Sequence, residues 1–170
     1  MIFVTVGTQK FPFNRLLKKV DQLARDGVIT EEVFIQTGTG DYIPSCCHFQ
    51  DFYGREQFGE MLETCSILIT HGGAGTIIDA VKRRKKTIVV PRLSKYGEHV
   101  DDHQLELSLR FHEMNLVYTC RDENNLPDAL FKVRNHEFDT YRSNTETFIE
   151  SVDAFLQADA PTMIPGRFRT

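Results

Sequence analysis

Short apolar segments alternate along the chain with segments whose apolar residues recur at helical spacing. Residues 2–6 are apolar and β-branched and end at Gly7, whereas residues 13–23 place apolar side chains three or four positions apart. This pattern predicts a strand followed by a helix. It predicts further strands over 32–36, 48–52, 66–70, 87–90 and 116–119, and further helices over 55–64, 75–84 and 101–113. Such alternation is typical of one parallel sheet covered by helices on both faces.

The last part of the chain follows a different pattern. The polar stretch over about 137–157 is predicted to be helical, and it packs either on the sheet or on a partner, two alternatives that stay open. Residues 159–170 contain two prolines and one glycine and predict a flexible tail. The predicted organisation is therefore a domain over 1–135, a C-terminal helix over 136–158 and a tail over 159–170.

Size and composition indicate one ordinary folded domain. The 170 residues are 41% hydrophobic, which is enough for a core. The net charge of −4 and pI of about 5.9 lack the basic character of nucleic-acid binders, so no nucleic-acid partner is expected. No apolar run approaches the roughly 18 residues of a membrane span, and the N-terminus does not read as a signal peptide. We expect a cytoplasmic protein whose four cysteines, which lack metal-finger spacing, are reduced.

A glycine-rich segment separates the strand over 66–70 from the helix that follows. Its residues are His71-Gly72-Gly73-Ala74-Gly75-Thr76. Glycine lets the backbone approach an anion closely, and the first N–H groups of a helix, with the positive end of its dipole, attract negative charge. The segment therefore predicts a pyrophosphate site. Neither a dinucleotide fingerprint nor a P-loop can be aligned here, which disfavours hydride transfer and ATP hydrolysis.

Asp79 follows Thr76 by three residues, so it lies one helical turn further along roughly the same face. From that position its carboxylate can reach the hydroxyls of a ribose. The simpler alternative is that Asp79 only interacts favourably with the helix dipole. The basic run over 82–86 lies at the other end of the same predicted helix, where positive charge is favourable, and it is expected to form a solvated surface.

A second polar segment, residues 91–104, begins directly after the strand over 87–90. Ligands of open parallel sheets bind at the carboxyl ends of the strands, so this segment is expected to share a crevice with the glycine-rich segment. Its acids and amide suit the hydroxyls of a sugar. One alternative is that Asp101 caps the next helix, and another is a metal site. The metal site would use His99 and His103 together with Glu98 and Asp102.

The order of these motifs resembles the glycosyltransferase family 28 C-terminal domain over roughly residues 1–120. The resemblance is carried by Val4-Thr5-Val6-Gly7-Thr8-Gln9, by the glycine-rich segment with Thr70 and Asp79, and by His103-Gln104. It is especially close to the small subunits of split enzymes, from bacterial exopolysaccharide and capsule synthesis and from the eukaryotic dolichol-linked N-acetylglucosamine transferase. It implies an α/β fold with a single Rossmann-like doubly wound parallel sheet, equivalent to the C-terminal half of a GT-B enzyme.

The same resemblance implies a donor-binding site for a UDP-sugar. Gly7 and Thr8 would line the crevice near the diphosphate, and the backbone around Phe52 and Tyr53 would receive uracil. Asp79, where relatives often have Glu, would bind the ribose. The diphosphate would be held by His71, Gly72, Gly73, Ala74, Gly75 and Thr76, and the transferred sugar by Gln104, helped by Asp102 or His103.

The resemblance further implies inverting transfer of a sugar from UDP to a lipid-linked saccharide acceptor, with a membrane-anchored, acceptor-binding subunit as partner. The chain would then lie at the cytoplasmic face of the membrane through that partner. No catalytic base is identified, and we expect the partner to provide it; no cofactor or protein-bound metal is expected. Candidate partner contacts are Phe148, Val152, Phe155 and the Arg167-Phe168-Arg169 tail. Two alternatives remain, a non-catalytic regulatory subunit that binds nucleotide sugars and an autonomous sugar-nucleotide epimerase or hydrolase.

Overall fold

The computed structural model describes residues 1–142. Six parallel strands form one sheet in the order β3-β2-β1-β4-β5-β6. The strands are β1 (Ile2–Thr5), β2 (Val33–Gln36), β3 (His48–Gln50), β4 (Ile67–Thr70), β5 (Lys86–Val89) and β6 (Tyr118–Thr119). The predicted α/β fold with a single doubly wound parallel sheet is thus confirmed.

Five α-helices connect and cover these strands in the described part of the chain. They are α1 (Asn14–Arg25), α2 (Arg55–Thr64), α3 (Ala74–Lys82), α4 (His103–Glu113) and α5 (Leu126–Asn135). The predicted helices correspond to α1–α4, with ends that differ by one or two residues, as is usual where helices fray. Within residues 1–142, no helix combines the length and the apolar character that a bilayer crossing requires.

The two faces of the sheet bury separate apolar clusters because successive strand side chains point in opposite directions. On one face, Ile2 and Val4 of β1 pack with the buried side of α1 and with α5. On the other face, Phe3 and Leu68 pack with Leu62 of α2 and with Ala80 of α3. Each central strand is buried on both sides, which explains why its sequence is almost uniformly apolar.

Helix α5 was not predicted, although its sequence has the features of a helix. Its buried residues are spaced as in an amphipathic helix, and Pro127 occupies its first turn, where a proline is tolerated. The buried residues are Leu126, Ala129, Leu130 and Val133. The signal was therefore present in the sequence. The helix completes the layer that α1 begins on the same face of the sheet.

The segment that follows α5 returns to the domain without forming a helix up to residue 142. Phe138 packs against the core on the α1 face, and Tyr141 packs against the cluster that contains Val89. The remainder of the helix predicted over about 137–157 lies outside the described residues, as do the predicted tail and the candidate partner contacts beyond Arg142.

The basic run over 82–86 is only partly a solvated surface. Lys82, Arg83 and Arg84 are exposed, as expected. Lys85 and Lys86 are half-buried, and their ammonium groups donate to the backbone carbonyls of Glu63 and Arg134. These two lysines thus connect the C-terminal end of α3 and the start of β5 to neighbouring helices.

The strand order reverses direction between β1 and β4. From β1 the chain proceeds outward to β2 and β3, then returns to place β4 on the other side of β1. At such a switch point the loops after the two strands diverge and leave a crevice at their carboxyl ends. The loop that starts at Gly7 follows β1, and the glycine-rich segment follows β4, so the fold brings these two sequence motifs together.

Candidate functional site

A cleft of about 750 Å³ opens at this switch point. The start of α3 and its glycine-rich segment form one wall, and the start of α2 forms the facing wall. The lining residues are Thr5, Gly7, Thr8, Gln9, Gln36, Tyr53, Arg55, Phe58, Gly59, His71, Gly73, Gly75, Thr76, Asp79 and Arg83. Seven of the residues assigned to the donor site therefore line one cleft, namely Gly7, Thr8, His71, Gly73, Gly75, Thr76 and Asp79.

The first turn of α3 presents unpaired backbone donors to the cleft. Gly73 occupies the N-cap position, and neither a capping side chain nor an acid satisfies the first turn. The first backbone bond into the helix is donated by Ile77 to the Gly73 carbonyl. Within residues 1–142, the N–H groups of Ala74, Gly75 and Thr76 thus have no partner. Free N–H groups at the positive end of a helix are suited to bind an anion.

The glycines around this turn leave room for neighbouring side chains as well as for an anion. The His71 ring lies between Gly7 and Gly73, and a Cβ at either glycine would collide with it. A Cβ at Gly72 would collide with Gln104 of α4. Gly75 differs, because a Cβ there would meet no atom within 4 Å. Only Gly75, of these four positions, can accept a side chain without displacing its surroundings.

His71 is buried at the base of the cleft, with 6% of its surface exposed. Its Nδ1 lies 3.3 Å from the Thr70 hydroxyl. Burial, and secondarily the charge of Arg92, lowers the pKa of His71 to about 4. The imidazole is therefore neutral at physiological pH, and it fills the space between the two loops without adding a charge.

The lowered pKa of His71 predicts a loss of stability in acid. Because the folded pKa of about 4 lies below the ordinary value of 6.5, only the unfolded chain takes up this proton between those limits. The contribution of His71 to the free energy of unfolding should thus be fully present at pH values above its ordinary pKa. It should fall by about 3 kcal/mol as the pH drops toward the folded pKa. Urea unfolding at about pH 7 and about pH 4.5 measures the change.

His71→Gln is the control for this titration, because glutamine takes up no proton in that range. The variant should lose less stability than the wild type between the two pH values, whatever its stability at neutral pH. Equal losses in the two proteins would show that His71 is not held neutral by the fold.

The loop after β1 is fixed by Gln36, a residue that the sequence analysis did not identify. The Gln36 amide donates to the Thr5 hydroxyl at 3.1 Å and to the Gly7 carbonyl at 3.3 Å. Its carbonyl oxygen accepts from the Tyr53 N–H at 3.2 Å. Gly7 itself has φ +76°, which favours glycine. Gln36 thus joins the two loops that border the cleft near β1 and α2, and its only sequence signal is a polar residue at the end of an apolar strand.

Asp79 lies on the cleft wall one turn into α3, where the sequence analysis placed it, and it is paired there. Arg83 Nε donates to Asp79 Oδ1 at 3.0 Å, and Arg83 also contacts Glu63 of α2 at 2.9 Å. These contacts link the two walls. Arg83 and Arg55, which also line the cleft, were not predicted as site residues. Arg83 follows Asp79 by four residues at the C-terminal end of α3, so helical spacing could have indicated their pairing. Arg55 lies on α2 in the opposite wall, and spacing along the chain could not indicate it.

Gln104 is buried beside the cleft, and its side-chain oxygen is engaged by backbone. It accepts from the Gly72 N–H at 3.1 Å and from the Arg92 N–H at 3.3 Å. Gln104 therefore ties the glycine-rich segment to the loop after β5. Only its amide nitrogen is left to face a ligand.

The remaining assigned residues lie around the cleft and not in its lining. Asp102 accepts from the Ser94 N–H and hydroxyl at 2.8 and 2.9 Å, and the exposed His103 side chain pairs with Glu106. Phe52 is exposed next to Tyr53, which does line the cleft. Gly72 and Ala74 belong to the glycine-rich segment but are not among the residues that line the cleft.

The histidines considered as metal ligands have other neighbours. His99 pairs with Asp101 at 2.9 Å, and Asp101 also accepts from the His103 N–H. Asp101 is not the N-cap of α4, because Asp102 occupies that position and makes no capping side-chain hydrogen bond. The Glu98 carboxylate is bound to Arg15. As far as the structure describes the chain, no three histidine, cysteine, aspartate or glutamate side chains converge on one point.

The sequence profile of the glycosyltransferase family 28 C-terminal domain matches residues 1–157. Two curated relatives are the UDP-N-acetylglucosamine transferase subunits ALG13 of Homo sapiens and Mus musculus. The human protein is 28% identical over 134 residues and the mouse protein 30% identical over 132 residues. These alignments cover 71% and 70% of this chain, which spans 11% of the length of either relative.

Solved glycosyltransferases share the fold. The NMR solution structure of ALG13 has a TM-score of 0.58 and 18% identity, with 89% of this chain and 93% of that chain covered. The calicheamicin glycosyltransferase CalG4 has a TM-score of 0.63 and 15% identity, with 94% and 43% covered. MurG of Acinetobacter baumannii has a TM-score of 0.57 and 15% identity, with 89% and 49% covered. The fold is thus that of the C-terminal half of a GT-B glycosyltransferase, as the sequence motifs implied.

Proposed function

The chain belongs to the family of glycosyltransferase family 28 C-terminal domains, and on that premise we propose that it is the UDP-sugar-binding catalytic subunit of an inverting hexosyltransferase. The observation that carries this proposal is the cleft at the switch point of the sheet, where the free N–H groups of α3 face the space between two loops. We place the diphosphate of the donor against Gly75 and Thr76, where the helix dipole and the N–H groups counter its charge.

The nucleoside would extend from this point toward α2. Asp79 is the only carboxylate among the cleft-lining residues in the described part of the chain. With one oxygen held by Arg83, its other oxygen is available to accept from ribose hydroxyls. Tyr53 and Arg55 line the cleft beyond it and would border the base, so that Tyr53, in place of Phe52, gives the side-chain contact. The short aspartate reaches less far than a glutamate, and the Arg83 contact compensates by fixing its orientation.

The sugar would lie on the side of the cleft that faces Gln104. The Gln104 amide nitrogen is free to donate to a sugar hydroxyl, while Asp102 and His103 would act only through a movement of their loop. In the transfer step, the acceptor hydroxyl attacks the anomeric carbon from the face opposite UDP, and the bond to the diphosphate breaks. The N–H groups of α3 stabilise the negative charge that develops on UDP, without a protein-bound metal or cofactor.

The acceptor and the partner complete the proposal. The two relatives named ALG13 are subunits of a UDP-N-acetylglucosamine transferase, which makes UDP-N-acetylglucosamine the first donor to test. We propose a membrane-anchored partner that binds a lipid-linked saccharide, supplies the base and brings this chain to the cytoplasmic face of the membrane. The product would be a lipid-linked precursor of a polysaccharide or glycan.

Calorimetry with a panel of nucleotides tests the donor assignment. UDP and one UDP-sugar, with UDP-N-acetylglucosamine as the leading candidate, should bind clearly more tightly than GDP-mannose, because the ribose and base contacts discriminate between nucleotides. Asp79→Ala should lower the affinity for every uridine nucleotide. Asp128→Ala on α5 is a matched control, because Asp128 does not line the cleft, and it should leave these affinities unchanged. Equal binding of all nucleotides, or steady release of UDP without an acceptor, would contradict the proposal; steady release would favour a hydrolase.

A further inference from the structure

Arg92, which follows β5, is a buried guanidinium with no assigned role. Only 1% of its surface is exposed. All of its side-chain hydrogen bonds go to backbone carbonyls. It donates to Val6 at 2.7 Å, to Phe11 at 2.6 Å and to Glu98 at 3.2 Å. These three carbonyls belong to the loops that follow β1 and β5, so one side chain connects the loops across the crevice.

No carboxylate pairs directly with this charge in the part of the chain that the structure describes. Both oxygens of the nearby Glu98 side chain accept from Arg15, and one of them also accepts from the Leu93 N–H. Among residues 1–142 the buried Nε of Arg92 has no hydrogen-bond partner, and the guanidinium lies over the Phe13 ring at 4.9 Å. Burial lowers the pKa of Arg92 to about 10, so the group stays charged at physiological pH. A buried charge without an ion pair is costly and needs a compensating role.

The carbonyls that Arg92 holds control the shape of the cleft. Val6 precedes Gly7, and Phe11 lies at the other end of the same loop, so Arg92 anchors both ends of the segment that contains the cleft residue Thr8. The backbone N–H of Arg92 also shares the Gln104 oxygen with Gly72. Through this shared acceptor, Arg92 is coupled to the glycine-rich segment as well.

The charge of Arg92 also reaches the cleft. His71 lines the cleft, and its pKa is lowered first by burial and second by the positive charge of Arg92. A positive charge that disfavours protonation of this imidazole would favour an anion bound at the same place. The loop contacts and the charge of Arg92 therefore both favour an anion bound in the cleft.

We propose that Arg92 is a positioning residue of the donor cleft. Its side chain holds the loop after β1 against the loop after β5, so that the loop after β1 keeps the distance from the glycine-rich segment that a diphosphate requires, and its charge adds attraction for the diphosphate. This inference rests on the proposed function, because the diphosphate is the ligand that it concerns. This role could not be predicted from the sequence, since an arginine after Pro91 is typical of an exposed loop.

The test compares UDP with uridine in Arg92→Gln, by calorimetry and by NMR titration. Loss of the charge and of the loop contacts should weaken UDP binding by about tenfold or more, because the diphosphate loses a nearby positive charge and the loop spacing that it requires. The affinity for uridine, which has no phosphate, should stay within about twofold. The pKa of His71, followed by its ring proton resonance, should rise in the variant. Arg134→Gln is the control: Arg134 of α5 is ion-paired with Glu31, outside the cleft lining, and its loss should leave the ratio of the two affinities unchanged.

Arg92→Lys separates the charge from the contacts and serves if Arg92→Gln does not fold. Lysine keeps the pKa of His71 low but cannot reach all three carbonyls, so UDP should weaken by about threefold or more while uridine binds as before. Unchanged UDP affinity in a folded Arg92 variant would overturn the inference, and so would an equal loss of UDP and uridine. Failure of the wild-type protein to bind UDP would instead overturn the proposed function, and the His71 titration would still report whether the Arg92 charge reaches the cleft.

Discussion

Gly75→Glu is expected to remove most of the affinity for UDP and to leave the fold intact. Gly75 lines the cleft in the first turn of α3, and a Cβ there meets no atom within 4 Å. The new carboxylate would lie beside the diphosphate. Two like charges about 4 Å apart repel by about 4 kcal/mol near a protein surface, so that even after partial screening the affinity should fall by at least about 100-fold. Calorimetry with UDP measures this loss.

Gly75→Gln is the control of equal size. It should weaken UDP far less than Gly75→Glu does, because it adds bulk without charge, and both variants should bind uridine like the wild type. Both should also melt no lower than the wild type, since each replaces a helical glycine with a better helix former. A folded Gly75→Glu protein with unchanged affinity for UDP would remove α3 from the binding site.

The second large effect is expected on the rate of sugar transfer, which should depend on the membrane-anchored partner that we propose. An inverting displacement needs a base to remove the acceptor proton. Among the described residues that line the cleft, Asp79 is engaged by Arg83, and His71 is buried with a pKa of about 4. Because a general base contributes about 10²–10⁴-fold, adding the partner should raise transfer by at least about 100-fold.

Transfer from a labelled UDP-sugar to a lipid-linked acceptor in vesicles measures this effect, with the chain alone, the partner alone and both together. Gly75→Glu combined with the partner is the control and should be inactive, which would show that donor binding belongs to this chain. Full transfer by the chain alone would contradict the two-subunit account. Binding of UDP without transfer under any condition would favour a regulatory subunit.

The fold was largely predictable because the apolar periodicity of a doubly wound sheet is strong. Strands such as β1 and β4 are buried on both faces, so each appears in the sequence as a short apolar run. Helix α1 has one apolar side, so its apolar residues recur at helical spacing. Helix α5 was missed although its apolar spacing is regular.

The candidate site was predictable where consecutive residues form it, or where a family motif such as the one with Gly7 and Thr8 marks it. The glycine-rich segment is continuous in the chain, so its place at the start of α3 followed from the sequence. Gln36 and Arg92 act through contacts between distant segments, and nothing in their neighbours indicates these contacts. The contact of Arg83 with Glu63 is of the same kind, whereas its pairing with Asp79 follows from helical spacing. The sequence also assigned the glycines to the ligand alone, whereas the packing of His71 shows that Gly7 and Gly73 serve the fold as well.

The most direct test of the donor cleft is an NMR titration of the protein with UDP-N-acetylglucosamine, in which the backbone amide resonances are followed. The largest shifts should occur at Ala74, Gly75 and Thr76, whose N–H groups gain charged hydrogen-bond partners, with smaller shifts at Thr8 and Asp79. Shifts that cluster away from the start of α3, or no saturable shifts with any UDP-sugar, would contradict it.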